Sequence, residues 1–299
     1  MSKMKRIFFL CATALMMAAC GQQNDKTQES NEAQQYIVPP GMPVAPMPIV
    51  ETTPMELGTV QTDPQSPVLN MEEGKPLDLS PLMGQRKTLE EQVASNIDTI
   101  RYQAEQGKAD YQYLYGASYE YGWGVDLDLK QAYTWYKKAA DQQQPASYNA
   151  IGNLYRTGNG VKQDAKEALR WYQLGADAGN AQAMLNVGNC YYFGMGVEKD
   201  LAKAVNWWQQ SADKGNAYAM AQMGDCYYSG FGVERDLDKA IECFSQAANK
   251  NVSSAQYRLG IMYYNGEGVQ QDRTYSKLLM QKASDGGLRE AQDFLNKNF

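Results

Sequence analysis

A segment of eleven residues occurs twice in nearly the same form, as CYYFGMGVEKD at residues 190–200 and as CYYSGFGVERD at residues 226–236. Shifting the whole sequence by 36 residues extends the match to five consecutive units. Six columns hold one residue type in all five units, and their first members are Gly116, Tyr119, Gly122, Gly124, Val125 and Asp128. Chance does not produce such regularity, so the chain is a repeat protein.

The sequence of each unit predicts two helices joined by a glycine-rich turn. They are here called helix A and helix B. In the second unit, Ile151, Leu154 and Tyr155 share one face of SYNAIGNLYRTG, the spacing of an amphipathic helix. Gly158 suits the left-handed residue that ends helix A. Asp164 stands where the N-cap of helix B belongs, before AKEALRWYQLGADAG.

Two further expectations concern packing and the exit from helix B. Gly152 has no Cβ and would let helix B approach helix A closely. Gly179 would end helix B, and the same column holds Gly107, Gly215, Gly287 and Asn251. The first unit has Gln143 in this column and Pro145 shortly after it, so we expect its exit to differ.

The pattern A-x-x-x-L-G-x-x-Y-x-x-G-x-G-V-x-x-D-x-x-K-A, as in Ala219 to Ala240 with Met223 at the Leu position, resembles the Sel1-like repeat, a relative of the tetratricopeptide repeat. The resemblance extends from Tyr113 to Gln292. It implies an all-α, right-handed α-solenoid of five 36-residue helix-turn-helix repeats. It also implies a protein that binds other proteins and has no chemistry of its own, as adaptors in bacterial envelopes do.

Both ends of the repeat region are expected to be half-repeat caps. Thr88 to Asp110 resembles a lone helix B, and Leu288 to Phe299 resembles a lone helix A. Terminal repeats present one face to water and are therefore atypical.

The N-terminal residues indicate an export signal. Basic residues precede an apolar run from Ile7 to Ala19, which is too short for a stable membrane span. The run ends in MAAC, which resembles the lipobox of bacterial lipoproteins, with Met17 in place of the usual Leu. The resemblance implies lipidation of Cys20 and, because Gly21 is not Asp, an anchor in the outer membrane facing the periplasm. A plain secretory signal with an incidental cysteine is the alternative.

Ten of the eleven prolines lie between Pro39 and Pro81, in a polar stretch without apolar periodicity. Such a composition is typical of a disordered, partly polyproline II tether. We therefore predict a signal peptide at 1–19, a linker at 20–86 and the solenoid at 87–299.

The composition argues against several functions. Histidine is absent, which excludes Ser-His-Asp and Cys-His catalysis and His-ligated metals. The net charge is -6, and no basic patch of the kind that nucleic-acid binders carry is evident. No CxxC pair suggests zinc or redox chemistry. We expect no catalytic residue, cofactor, metal or nucleic-acid partner, and we predict that the chain is not an enzyme.

The columns that vary between units are the candidates for binding. In the family that the repeat resembles, helix A lines the concave surface. We predict a concave strip on helix A that consists of Tyr192, Tyr228, Tyr264, Asn189, Asp225, Ile261 and Tyr257. Tyrosine is enriched at protein interfaces because it has an apolar body and a polar tip. The alternative is that these tyrosines only pack between adjacent units.

The remaining cysteines fit the core. Cys190 and Cys226 share the column of Leu154 and Met262. Neighbouring helices lie about 8–10 Å apart, too far for an unstrained disulfide between them. A bridge between Cys226 and Cys243 stays open, because Cys243 faces helix A of its own unit.

Three functions follow as hypotheses. The first is a lipid-anchored envelope adaptor that binds a protein partner through the concave strip. The second is a periplasmic immunity protein that neutralises a toxin, a role known for lipoproteins of the family that the repeat resembles. The third and most remote is a cell-wall hydrolase, which would need an acidic pair outside the repeat columns.

Overall fold

The computed structural model describes residues 86–299, with side chains from Glu90 onward. This part of the chain forms thirteen α-helices and no strand. The helices are α1 (Arg86–Ser95), α2 (Ile97–Glu105), α3 (Ala109–Tyr121), α4 (Leu129–Asp141), α5 (Pro145–Thr157), α6 (Ala165–Asp177), α7 (Ala181–Phe193), α8 (Leu201–Asp213), α9 (Ala217–Ser229), α10 (Leu237–Asn249), α11 (Ser253–Asn265), α12 (Arg273–Asp285) and α13 (Arg289–Asn298).

The predicted repeat architecture is confirmed. Helices α3 to α12 form five A–B pairs, and each helix packs mainly against its neighbours in the chain. The stack of units is a solenoid in which each B helix also contacts the A helix of the next unit. Among the described residues, no helix is long and apolar enough to cross a bilayer.

The glycine within helix A provides space for helix B, as predicted. A Cβ atom on Gly152 would lie 2.5 Å from the ring of Tyr172, and one on Gly188 would lie 2.5 Å from the ring of Trp208. Any larger residue would push the two helices of a unit apart, because protein interiors contain few voids that could absorb it.

The caps also form as predicted. Gly158 has φ of 78° and ends α5 in the left-handed conformation. The Asp164 carboxylate accepts hydrogen bonds from the backbone amides of Lys166 and Glu167 at the start of α6. These contacts satisfy polar backbone groups that a helix leaves unpaired at its ends.

The second glycine of each turn lies between units. A Cβ on Gly160 would overlap the backbone carbonyl of Leu129, at the start of the preceding helix B, and one on Gly196 would overlap that of Ala165. Gly160 also has φ of 72°. This glycine therefore sets how closely two successive units stack, in addition to making the turn.

The prediction that the first helix B ends differently from the other B helices is wrong. Gln143 adopts φ of 63°, close to the 60° of Asn251 and in the same left-handed region as Gly179. Its amide donates to the Ala140 carbonyl at 2.9 Å, as the Gly179 amide does to Ala176. Pro145 does not disturb this exit because it is the first residue of α5, where no backbone donor is needed.

Of the two half-repeats predicted at the ends of the solenoid, only the C-terminal one forms as expected. The C-terminal half-repeat forms as α13, and Ala291 and Leu295 are buried. The segment expected to be one helix B from Thr88 to Asp110 is instead α1 and α2, and Asp110 already belongs to α3. The break lies at Asn96, whose side-chain amide donates to the Gln92 carbonyl at 2.8 Å, a competition that is typical of asparagine.

The predicted signal peptide, Cys20 and the proline-rich linker up to residue 85 lie outside the described residues. Arg86, the last residue of the predicted linker, is the first residue of α1.

Candidate protein-binding site

The seven residues of the predicted strip lie on the A helices of units three to five, which are α7, α9 and α11. Two neighbouring pairs of A helices, α5–α7 and α9–α11, contact each other directly. Side chains of the A helices therefore lie at contacts between successive units, and the concave position of the strip stays a prediction. Six of the seven residues are half-buried, and Asn189 is buried.

Tyr192, Tyr228 and Tyr264, here called the tyrosine ladder, reach towards the following unit. The Tyr192 ring centroid lies 5.7 Å from that of Phe231 in the next turn. The Tyr228 hydroxyl donates to Glu267 Oε2 at 2.5 Å, also in the next turn. Part of each side chain thus packs between units, as the alternative interpretation expects, and part stays exposed.

The strip ends against α13. The Tyr264 hydroxyl lies 3.3 Å from Asn298 Oδ1, and its ring lies 5.1 Å from that of Phe294. The Tyr257 ring contacts Phe294 edge-on at 6.4 Å, and Ile261 packs in the same cluster. Helix α13 therefore packs against Tyr257, Ile261 and Tyr264, in the way that the next unit packs against the earlier strip residues.

Sequence reasoning missed Phe231 and Glu267, the partners of the ladder. Both occupy the middle position of Gly-x-Gly, which was interpreted only as a turn. The variation at this position could have indicated that it contributes to binding. Within an otherwise constant turn, it holds Trp123, Asn159, Met195, Phe231 and Glu267.

Asn189 is part of the packing within its own unit. Its Oδ1 accepts a hydrogen bond from Trp208 Nε1 at 3.0 Å. In unit two, Asn153 Oδ1 accepts from the Tyr172 hydroxyl at 2.7 Å. In both units, the Asn side chain of helix A therefore accepts a hydrogen bond from an aromatic side chain of helix B. Because Asn189 is buried, little of its side chain is available to a partner.

Asp225 occupies the same column in unit four, where the helix B ring is Phe244 and has no donor. Its carboxylate instead pairs with Arg258 of the next A helix, with Nε and Oδ1 3.0 Å apart. Burial raises the pKa of Asp225, and the Arg258 guanidinium opposes this rise. The ion pair joins units four and five along the strip.

Two of the ladder tyrosines, Tyr192 and Tyr228, have a raised pKa. Burial and the hydrogen bond to Glu267 raise the pKa of Tyr228 to about 12. Burial, with Cys226 and Asp225 nearby, also raises the pKa of Tyr192. Tyr192 and Tyr228 are therefore neutral phenols and not nucleophiles at neutral pH.

The three cysteines of the described region are free thiols, so the structure contains no bridge between Cys226 and Cys243. Burial raises the pKa of Cys190 and of Cys226 to about 12. Cys190 and Cys226 are core residues, as predicted. Residues 86–299 hold no cluster of three side chains that could bind a metal ion.

Comparison with protein families identifies the repeat. A model described as Sel1 repeat matches residues 109–143, 145–180, 181–216, 217–252 and 253–288. The chain belongs to the Sel1 repeat family. Repeats of this family typically form scaffolds for protein interactions. No curated protein sequence matches the chain.

Solved structures agree with this assignment. A Sel1 repeat protein from Oxalobacter formigenes is 33% identical, with a TM-score of 0.60, over 63% of this chain and 77% of that protein. A protective antigen of uropathogenic Escherichia coli is 32% identical, with a TM-score of 0.59, over 74% of this chain. This chain spans about half of that antigen, 51% of its length.

An immunity protein from Pseudomonas aeruginosa is 24% identical over 61% of this chain and 67% of its own, with a TM-score of 0.46. Likeness at this level concerns the fold alone.

Proposed function

We propose that this protein is a lipid-anchored adaptor of the bacterial cell envelope, which binds a protein partner through the tyrosine ladder. The ladder is the observation that carries the proposal. It places three half-buried tyrosines on one side of three successive A helices. Large aromatic side chains with a polar tip dominate binding energy at protein interfaces.

The anchor rests on the sequence alone. MAAC at residues 17–20 supports lipidation of Cys20, and lipid chains hold a protein on a membrane without a spanning helix. Replacing Cys20 with Ser should move the protein from the membrane fraction to the soluble fraction and abolish incorporation of a labelled fatty acid. Unchanged membrane association of the variant would contradict the anchor.

Photo-crosslinking in the native cells tests the binding surface. Benzoylphenylalanine replaces Phe193, which is 38% exposed and contacts the Tyr192 ring. The control position is Tyr102, which is 58% exposed on α2, far along the chain from the ladder. We expect one dominant protein adduct from position 193 and none from position 102.

The same experiment in a Tyr192→Ala, Tyr228→Ala, Tyr264→Ala background should lose the adduct. Because the ladder also packs between units, circular dichroism must first show that this variant keeps its helices. An adduct that persists in the folded variant, or equal adducts at both positions, contradicts the proposal.

Mass spectrometry of the adduct separates the hypotheses. An envelope assembly protein supports the adaptor function, whereas a secreted toxin would assign the immunity function. Release of fragments from cell wall by the purified chain would be needed for the hydrolase hypothesis.

A further inference from the structure

Three cations line the tyrosine ladder. The Lys199 ammonium lies 5.4 Å from the centre of the Tyr192 ring, and the Arg273 guanidinium lies 4.7 Å from that of Tyr264. Arg235 Nε donates to the backbone carbonyl of Tyr228 at 3.1 Å. All three cationic residues are exposed, and we call them the cation row. The attraction of a cation to a ring face holds such side chains beside the aromatic surface.

The cation row has no carboxylate partner. Within residues 90–299, no Asp or Glu oxygen lies within 4.0 Å of the charged groups of Lys199, Arg235 or Arg273. An exposed cation without a partner is stabilised by water. It interacts more favourably with an anion when a binding partner displaces part of that water.

Two carboxylates at the ladder, Asp225 of the strip and Glu267 of the following turn, are hydrogen-bonded within the chain. Asp225 pairs with Arg258. Glu267 accepts from the Tyr228 hydroxyl at 2.5 Å and from Asn265 Nδ2 at 2.7 Å. Arg258 neutralises Asp225, whereas Glu267 keeps its negative charge because both of its donors are neutral. The ladder therefore carries three exposed cations beside one carboxylate without a cationic partner, although the whole chain has a net charge of -6.

Glu198 and Glu234 adjoin Lys199 and Arg235 in the sequence. Glu198 and Glu234 influence Lys203 and Lys239 of helix B, whose pKa is raised first by the N-cap Asp and more weakly by these residues. Neither Glu198 nor Glu234 forms an ion pair with Lys199 or Arg235.

We propose that the ladder binds an extended, acidic protein segment whose carboxylates pair with Lys199, Arg235 and Arg273 while its backbone crosses Tyr192, Tyr228 and Tyr264. Neighbouring helical units lie about 8–10 Å apart, and an extended chain rises about 3.3 Å per residue. One unit thus corresponds to about three residues of the partner, so acidic residues three positions apart match Lys199 and Arg235, which occupy the same column of successive units. Arg273 lies two positions later in its unit, beside Tyr264. This inference rests on the proposed binding function of the ladder.

Fluorescence anisotropy tests the inference with the purified full chain. The probes are fluorescein-labelled peptides of four Glu-Ser-Gly triplets or four Lys-Ser-Gly triplets. We expect the Glu peptide to bind at least about tenfold more tightly than the Lys peptide, because each exposed ion pair changes affinity by a small factor. The difference should shrink as salt rises.

The variant Lys199→Gln, Arg235→Gln, Arg273→Gln should lose this preference. The matched control Lys130→Gln, Lys166→Gln, Lys250→Gln removes the same charge from exposed lysines that lie on or next to the B helices, and it should bind like the wild type. Equal binding of the two peptides, or undiminished binding of the Glu peptide by the first variant, overturns the proposal.

Two outcomes separate this inference from the proposed function. A crosslinked partner that needs the ladder tyrosines but tolerates loss of the cation row would preserve the binding function and refute the acidic segment. Binding of the Glu peptide only after the acidic residues between Asp25 and Asp78 are neutralised would show that the chain's own N-terminal segment occupies the ladder, and it would refute an external partner.

Discussion

The hydrogen bond between Asn189 and Trp208 gives the sharpest test of how each unit is held together. Trp208 is 1% exposed, and its Nε1 donates to Asn189 Oδ1 at 3.0 Å. Replacing Asn189 with Leu keeps the branched shape and the number of side-chain heavy atoms, but it adds volume and leaves the indole donor without an acceptor. A buried donor left unpaired costs about 1–3 kcal/mol and the larger side chain adds a steric cost, so we expect the free energy of unfolding to fall by at least about 1 kcal/mol.

A double-mutant cycle separates the hydrogen bond from packing. In a Trp208→Phe background no donor remains, so Asn189→Leu should cost at least about 1 kcal/mol less than it does in the wild type. Unit five supports this expectation, because Ile261 and Met280 form an apolar pair in the same two columns.

Urea unfolding followed by circular dichroism at constant pH provides the four free energies. Coincident transitions at several wavelengths would support the two-state treatment that the cycle requires. A coupling energy within about 0.3 kcal/mol of zero, which is the usual additivity error, would refute the idea that this hydrogen bond joins helices A and B.

Three other predictions concern the turn, the thiols and the inter-unit ion pair. Gly160→Ala should destabilise the protein at least about twice as much as Gly215→Ala. Both residues have positive φ, which costs about 1–2 kcal/mol with a Cβ, but only Gly160 would meet backbone; equal losses in urea unfolding would contradict this. Iodoacetamide at pH 8 should modify Cys243 before Cys190 in the folded chain, because burial raises the pKa of Cys190 to about 12 and that of the less buried Cys243 to about 11. Equal rates by site-resolved mass spectrometry would argue against this packing. Burial also raises the pKa of Asp225, so the folded state holds this proton more tightly than the unfolded state, and stability is lost as pH rises. Relative to Asp225→Asn, the wild type should therefore gain free energy of unfolding between pH 7 and pH 4, and a loss over that range would contradict the shift.

The local features of each unit could be predicted because each depends on a few neighbouring residues. The N-cap at Asp164 follows from one carboxylate and two nearby backbone amides, and Gly158 ends a helix through its own backbone freedom. Exact repetition of these residues fixed the unit length and the number of units. The exit at Gln143 could not be predicted in this way, because this residue type does not favour the left-handed conformation that it adopts.

The sequence by itself therefore determined the all-α repeat architecture, the helix boundaries within each unit and the side of helix A on which the variable residues lie. Only the tertiary structure decided which of those residues are engaged by the chain itself. Asn189 bonds to Trp208 of helix B, and Asp225 pairs with Arg258 of the next unit. The physical reason is that these partners are 19 and 33 residues away in sequence, so no local rule relates them. Their pairing depends on how closely the units stack, and that pairing leaves the cations beside the ladder without a partner.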